Sequence, residues 1–278
     1  MKIKKVLNNN AVIAINDKRE EVVITGLGLA FQKKSGDNLD QNKIERIFRM
    51  ESKEISRKFR DLIHEIPIEY VEATDEIITC AKDNLNVSLN ENIHITLTDH
   101  ISFAIERIRN HINITNPMVW EIKRFYMDEY TVGMKAIDII EERLGVRLPQ
   151  DEAASIAMHI VNAELNEEMP RVMNMIKIIQ DSLNIIKYHF GIELEEDSLH
   201  YQRLVTHLKF FAQRIITYHD KHAVQAKDHL FDIIHKQYPE AYKCAAKIEK
   251  YAREKYNFVL SQSEMTYLIV HIERVVQA

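Results

Sequence analysis

The sequence predicts an α+β multidomain chain: a small N-terminal antiparallel β-sheet module followed by two duplicated, all-helical bundles. Three observations carry this. Short β-branched runs separated by turn-forming residues fill residues 2 to 33. After Asp40 the apolar residues take helical spacing. A large block is also written twice. Shifting the chain by 112 positions superposes Leu148 on Leu260, Gln150 on Gln262, Glu152 on Glu264, His159 on His271 and Ile160 on Ile272. A shift of 107 superposes His100 on His207, Phe103 on Phe210, Arg107 on Arg214 and Ile108 on Ile215. A period above one hundred residues is that of duplicated domains, since solenoid repeats are far shorter.

Taken in order, Ile3, Val6 and Leu7, then Val12, Ile13 and Ile15, then Val22, Val23 and Ile24 predict three strands. Asn8-Asn9-Asn10 and Asn16-Asp17-Lys18 mark the turns between them. Gly28-Leu29-Ala30-Phe31-Gln32 is expected to be a fourth strand. Four short strands cannot close a large core, so the module is expected to dimerise and cover its sheet that way. Asn42 to Leu62 is predicted as a mixed-charge helical connection. Ile101, Ile105, Ile108 and Ile112 fall at i, i+4, i+7 and i+11, one stripe of one helix, with Thr98 suited to its N-cap. Met169-Pro170 marks the boundary between the repeats. Met265, Leu268, Ile269 and Ile272 form the stripe of the last helix, where Ser261 and Glu264 have capping-box spacing.

Composition sets limits on function. With 46% hydrophobic and 28% charged residues, 278 positions suffice for about two domains with buried cores. No run approaches the ~18 apolar residues of a membrane helix, and Met1-Lys2-Ile3-Lys4-Lys5 lacks the apolar stretch of a signal peptide, so a cytoplasmic chain without membrane insertion is expected. Cys80 and Cys244 stand alone, which indicates neither a disulfide framework nor a zinc site. Residues 1 to 36 carry seven basic against three acidic side chains, +4 against −9 for the remainder of a chain of net charge −5. A basic module on an acidic body fits one piece meeting nucleic acid and the rest meeting proteins; an ordinary solvated surface fits the same charges.

The chemistry-bearing residues are the duplicated histidines. His100, His159, His207 and His271 each stand beside an apolar stripe and not within it, which places each ring at the edge of a packed face. An accessible neutral imidazole is a nucleophile, and it can accept a phosphoryl group from another protein's phosphohistidine. Taken singly, each histidine reads as a structural residue; their duplication favours a shared chemistry. No HExxH pair, no GxSxG elbow and no phosphate-cradling glycine loop occurs in a chain with six glycines, which argues against metal hydrolysis, serine hydrolysis and nucleotide chemistry. No cofactor, metal or catalytic residue is expected. His94, His111, His189, His200, His219, His222, His229 and His235 do not recur and are read as surface or core residues.

Several segments carry a family resemblance. They are Asn8-Asn9-Asn10, Gly26 to Gly36 (GLGLAFQKKSG), Leu97-Thr98-Asp99-His100, His159 to Pro170 (HIVNAELNEEMP), Thr206 to Arg214 (THLKFFAQR) and His271 to Val276 (HIERVV). In this order and spacing the chain closely resembles the BglG/SacY transcriptional antiterminators from end to end. The resemblance implies a co-antiterminator RNA-binding domain with the start of a linker (1–55), a helical linker (56–64) and two regulation domains of the phosphotransferase system (65–170 and 171–278). It implies a dimer that binds a hairpin in an mRNA leader and excludes an overlapping terminator. It further implies control by phosphorylation: His100 and His159 as sites of negative control dependent on a sugar permease, His207 and His271 as sites activated by HPr.

The residues suit RNA. Phe31 offers a ring on which an unstacked base can stack, with Gln32 beside it; Gly26 and Gly28 allow close approach; Asn8 and Asn10 carry amides; Lys5, Lys33 and Lys34 neutralise phosphates. Without the resemblance, Phe31 reads as core of a small sheet. Leu27 departs from the basic or polar residue common in the family. The chain is thus expected to be a non-enzymatic, sugar-responsive RNA-binding regulator. A DNA-binding activator built on the same regulation domains is the alternative, though it requires a helix-turn-helix where residues 1 to 36 read as strands. A phosphocarrier enzyme is the third reading.

Overall fold

The computed structural model describes residues 1–16, 21–49, 53–112, 115–217 and 229–277, in two compact units, Met1–Glu167 and Glu168–Ala278. Asp17 and Lys18 of the second expected turn, and His219 and His222, lie outside the described residues.

The first unit opens with an antiparallel meander of four strands, β1 (Lys2–Asn8), β2 (Ala11–Ile15), β3 (Glu21–Thr25) and β4 (Arg46–Arg49), in sequential order. Alternation of side chains along each strand sorts the apolar residues onto two faces. On one, Ile3, Val12, Ala14, Val22 and Ile24 are covered by Leu29, Ala30 and Leu39 from the connection between β3 and β4. On the other, Leu7, Ala11, Ile13, Val23 and Phe48 pack against Phe59, Leu62 and Ile63 of α1 (Lys53–Glu65) and Ile68 and Val71 of α2 (Ile68–Leu85). Both faces are therefore covered by the chain itself, and the need of a small sheet for cover does not by itself require a second copy.

Three expectations are corrected. Gly28 to Gln32 is not a strand: Gly28 (φ 63°) and Gln32 (φ 57°) are left-handed, and Leu29, Phe31 and Lys33 each donate to the carbonyl three residues back, the hydrogen bonding of tight turns. The fourth strand is β4, inside the segment expected to be a helical connection, and Val23 pairs with Phe48 there. Thr98 is not an N-cap. It is buried inside α3 (Ile93–Arg109), its hydroxyl bonded to the His94 carbonyl, and that helix ends at Asn110, before Ile112.

The first helical bundle comprises α2, α3, α4 (Val119–Phe125), α5 (Met127–Leu144) and α6 (Gln150–Leu165). His94 of α3 joins it to the sheet: its ring lies 5.6 Å from that of Phe48 and 6.4 Å from that of Phe59, edge on to both. The second unit comprises α7 (Met169–Phe190), α8 (Leu199–Thr217), α9 (His229–Gln237), α10 (Pro239–Tyr256) and α11 (Gln262–Val276). Its elements reproduce the first bundle at the shifts read from the sequence, α5 corresponding to α10, α6 to α11 and α3 to α8. No helix among the described residues is long and apolar enough to cross a membrane.

Candidate functional site

The turn between β3 and β4 gathers the residues expected at RNA. Phe31 is 59% exposed and Leu27 76%, and every side chain from Phe31 to Ser35 faces solvent, including Gln32, Lys33 and Lys34. The ring is thus available and not part of the sheet's core. The turn is pinned beside β1, with Ser35 donating to the Lys4 carbonyl at 2.8 Å and Gly36 to that of Ile3 at 2.8 Å, which brings Lys5 to the same edge. Asn10 accepts the Gly28 N–H through its side-chain oxygen at 2.8 Å, leaving its Nδ2 without a partner among the described residues. Asn8 is committed at both ends, its oxygen to the Asn10 N–H and its nitrogen to the Ile63 carbonyl. Gly26 is buried, and a Cβ there would stand 1.8 Å from the Lys43 carbonyl oxygen: the close approach it permits is that of its own chain. A Cβ on Gly28 would meet nothing within 4 Å, so the space over that residue is open.

The four histidines come together as two pairs. The rings of His100 on α3 and His159 on α6 lie 4.8 Å apart, and those of His207 on α8 and His271 on α11 lie 5.1 Å apart, nearly parallel. Each pair stands beside an arginine–glutamate bridge: Arg107 to Glu152 at 2.7 Å in the first repeat, Arg214 to Glu264 at 2.8 Å in the second. All four rings are half-buried at the rim of their helix pairs. Phe103 and Phe210, 55% and 57% exposed, sit one turn beyond the first histidine of each pair.

The two sites differ at one helix start. Ser261 caps α11 in a full capping box, so one Glu264 oxygen accepts from the Ser261 N–H and hydroxyl while the other holds Arg214. In the first repeat Pro149 stands at that place, with no side-chain cap. Glu152 is therefore free to bind His100, Nε2 to Oε2 at 2.9 Å. An ionised carboxylate only accepts, so Nε2 carries a proton in this bond. Among the described residues of the second repeat no carboxylate hydrogen-bonds His207, though Glu264 acts on the ring through space, and the ring's Nε2 is buried without a partner.

Burial and neighbouring positive charge disfavour protonation of three of the rings, His159, His207 and His271. Burial, then the neighbouring His100, pushes His159 down to about 3; burial, then His271 and Arg214, pushes His207 down to about 4. His271 is lowered by burial, then by Arg274 and Arg203. Burial would raise the Glu152 carboxyl, but His100 and Arg107 outweigh it and hold the group below its usual range. Neutral imidazoles at physiological pH are the nucleophilic form. These shifts also set a stability profile. His94, pushed down to about 4 by burial, joins His159 and His207 in binding its proton more tightly when unfolded, at an ordinary value of 6.5, than when folded. Stability is therefore full above about pH 6.5 and is lost as pH falls toward the folded values, by roughly 1–2 kcal/mol per ring at about pH 5. Urea midpoints compared near pH 7.5 and pH 5 check this, and equal midpoints would contradict it.

The arginine–glutamate bridges were missed as site residues by sequence reasoning. Their signal was present, because the shifts that align the histidines also align Arg107 with Arg214 and Glu152 with Glu264.

The CAT RNA binding domain model matches residues 1–57, and the PRD domain model matches residues 75–163 and 180–275. The chain is 49% identical over 277 residues to the transcription antiterminator LicT of Bacillus subtilis, covering 100% of this chain and 99% of that one. It is 44% identical over 276 residues to the beta-glucoside operon antiterminator of Dickeya chrysanthemi, covering 99% and 96%. The crystal structure of GlcT CAT-PRDI superposes with a TM-score of 0.51 at 37% identity, covering 59% of this chain and 97% of that one. With an RNA-binding module ahead of two matched repeats, and full-length likeness to antiterminators, the chain belongs to the BglG/SacY family of transcriptional antiterminators.

Proposed function

We propose that the chain is a sugar-responsive antiterminator that binds, as a dimer, a hairpin in a nascent mRNA leader and so prevents terminator formation. Phosphorylation of His100, His159, His207 and His271 by the phosphotransferase system controls it, a sugar permease acting negatively through the first pair and HPr positively through the second. The observation that carries this reading is the joining of an exposed turn, Phe31 to Ser35, to two repeats that each build a half-buried histidine pair on equivalent helices. Phe31 and Leu27 offer apolar surface to an unstacked base, and Lys5, Lys33 and Lys34 surround it with positive charge. Phe103 and Phe210 give a phosphodonor protein an apolar foothold beside each pair.

The experiment is a gel-shift titration of the full chain against a leader hairpin with internal loops. Phe31→Ala is expected to weaken binding by about 1–3 kcal/mol, roughly 5- to 150-fold. Equal affinity in the folded variant would remove the ring from the interface, and absence of any hairpin binding by the wild type would remove the reading itself.

A further inference from the structure

We infer that Arg203 and Arg274 form a receptor for a phosphoryl group carried on His207 or His271, and that the first repeat lacks this receptor. The inference rests on the reading that these histidines are phosphorylated. Arg203 precedes His207 by one turn of α8 and Arg274 follows His271 by three residues on α11, so each guanidinium shares a helix face with one ring of the stacked pair. Both are exposed, and neither has a carboxylate partner among the described residues. Both bear on the His271 ring, which burial first, and then Arg274 and Arg203, make harder to protonate. Two uncommitted arginines beside a half-buried ring pair, one of whose nitrogens is buried without a partner, are suited to an arriving dianion.

A phosphohistidine carries about −1.5 to −2 charges and three acceptor oxygens, and arginine meets such a group with a fork of donors. At the corresponding places the first repeat has Thr96, for Arg203, and Asn162, for Arg274. Glu152 stands 2.9 Å from the His100 ring instead. The same modification thus draws α8 and α11 together through opposite charges, while between α3 and α6 it meets a carboxylate. In the transfer itself a ring nitrogen's lone pair forms the new N–P bond as the donor's P–N bond breaks. The accepting ring gives up the proton on its other nitrogen and the leaving nitrogen takes one up, so a phosphohistidine donor leaves as neutral imidazole and a phosphoramidate donor leaves as ammonia.

The test uses the full chain treated with potassium phosphoramidate, the modified rings located by mass spectrometry at alkaline pH, and hydrogen exchange followed helix by helix. Phosphorylation at His207 or His271 is expected to slow exchange in α8 and α11 by about tenfold or more, with no such gain in α3 and α6 on modification of His100 or His159. Arg203→Gln with Arg274→Gln, compared with its own unmodified form, should accept phosphate yet lose the gain, and Arg203→Lys with Arg274→Lys should keep part of it. The same slowing in the glutamine variant, or an equal gain in the first repeat, would overturn the inference alone. No phosphate on either ring of the wild type would instead overturn the reading beneath it.

Discussion

Replacing Gly133 by alanine is expected to destabilise the first helical repeat by about 2 kcal/mol, the upper end of the net cost, against the usual benefit of alanine in a helix. Gly133 lies within α5, and a Cβ there would stand 2.2 Å from the Ala153 carbonyl oxygen on α6. The helices must move apart, because the obstructing atom is backbone and cannot swing away. Overpacking costs about 1–3 kcal/mol and sometimes more where nothing yields, whereas alanine gains only about 1 kcal/mol of helix propensity. The second repeat has Ala245 at the matching place, buried within α10, so α10 and α11 are spaced to accept the methyl group that α5 and α6 exclude. The chain's single tryptophan, Trp120 on α4, reports unfolding of this unit. Its fluorescence melt is expected to fall by about 4–8 °C, at roughly 2–4 °C per kcal/mol for a unit of this size. A melt at the wild-type temperature would show that the two helices are not held at this separation.

Opposite outputs are expected from permanent negative charge in the two repeats. His207→Asp with His271→Asp should raise antitermination in cells lacking the phosphodonor, and His100→Asp should lower it. The structure supplies a physical reason for the sign. An aspartate at position 207 or 271 enters a site where Arg203 and Arg274 have no carboxylate partner among the described residues. An aspartate at position 100 loses the 2.9 Å bond to Glu152 and sets two carboxylates against each other. Aspartate carries less charge than phosphohistidine, so each effect should be partial. Adding Glu152→Gln to His100→Asp should recover part of the loss by removing the repulsion. A reporter placed beyond the terminator reads all three, and equal signs for the two repeats would refute the assignment.

Much of this architecture was legible because it is local or periodic. The runs around Ile3, Val12 and Val22 became β1, β2 and β3, and Ser261-to-Glu264 spacing became a complete capping box. Comparison of the chain with itself marks the four histidines, which the structure brings together as two pairs. The fourth strand was illegible for a physical reason: Arg46–Arg49 is four residues long with arginine at both ends, so it has no readable alternation, and it exists through pairing with β3 some twenty-five residues away. Thr98 shows the same limit, since a threonine suited to capping also fits a buried helix position when its hydroxyl can return to the carbonyl one turn back. Gly26 was read for its freedom of approach, but nothing in the sequence says that the approaching group is Lys43 and not a ligand.

The contact of His94 with Phe48 and Phe59 shortens the path between His100 and the sheet within the first unit. Counted along the chain, His100 stands nearly seventy residues after Phe31. Measured in space, it is six residues beyond His94 on one rigid helix, about 9 Å at 1.5 Å per residue, and His94 already abuts the strand that closes the sheet. His100 and the sheet are thus two ends of one short rod. A tilt or slide of α3 at His100 would be felt at β4 through the contact of His94 with Phe48.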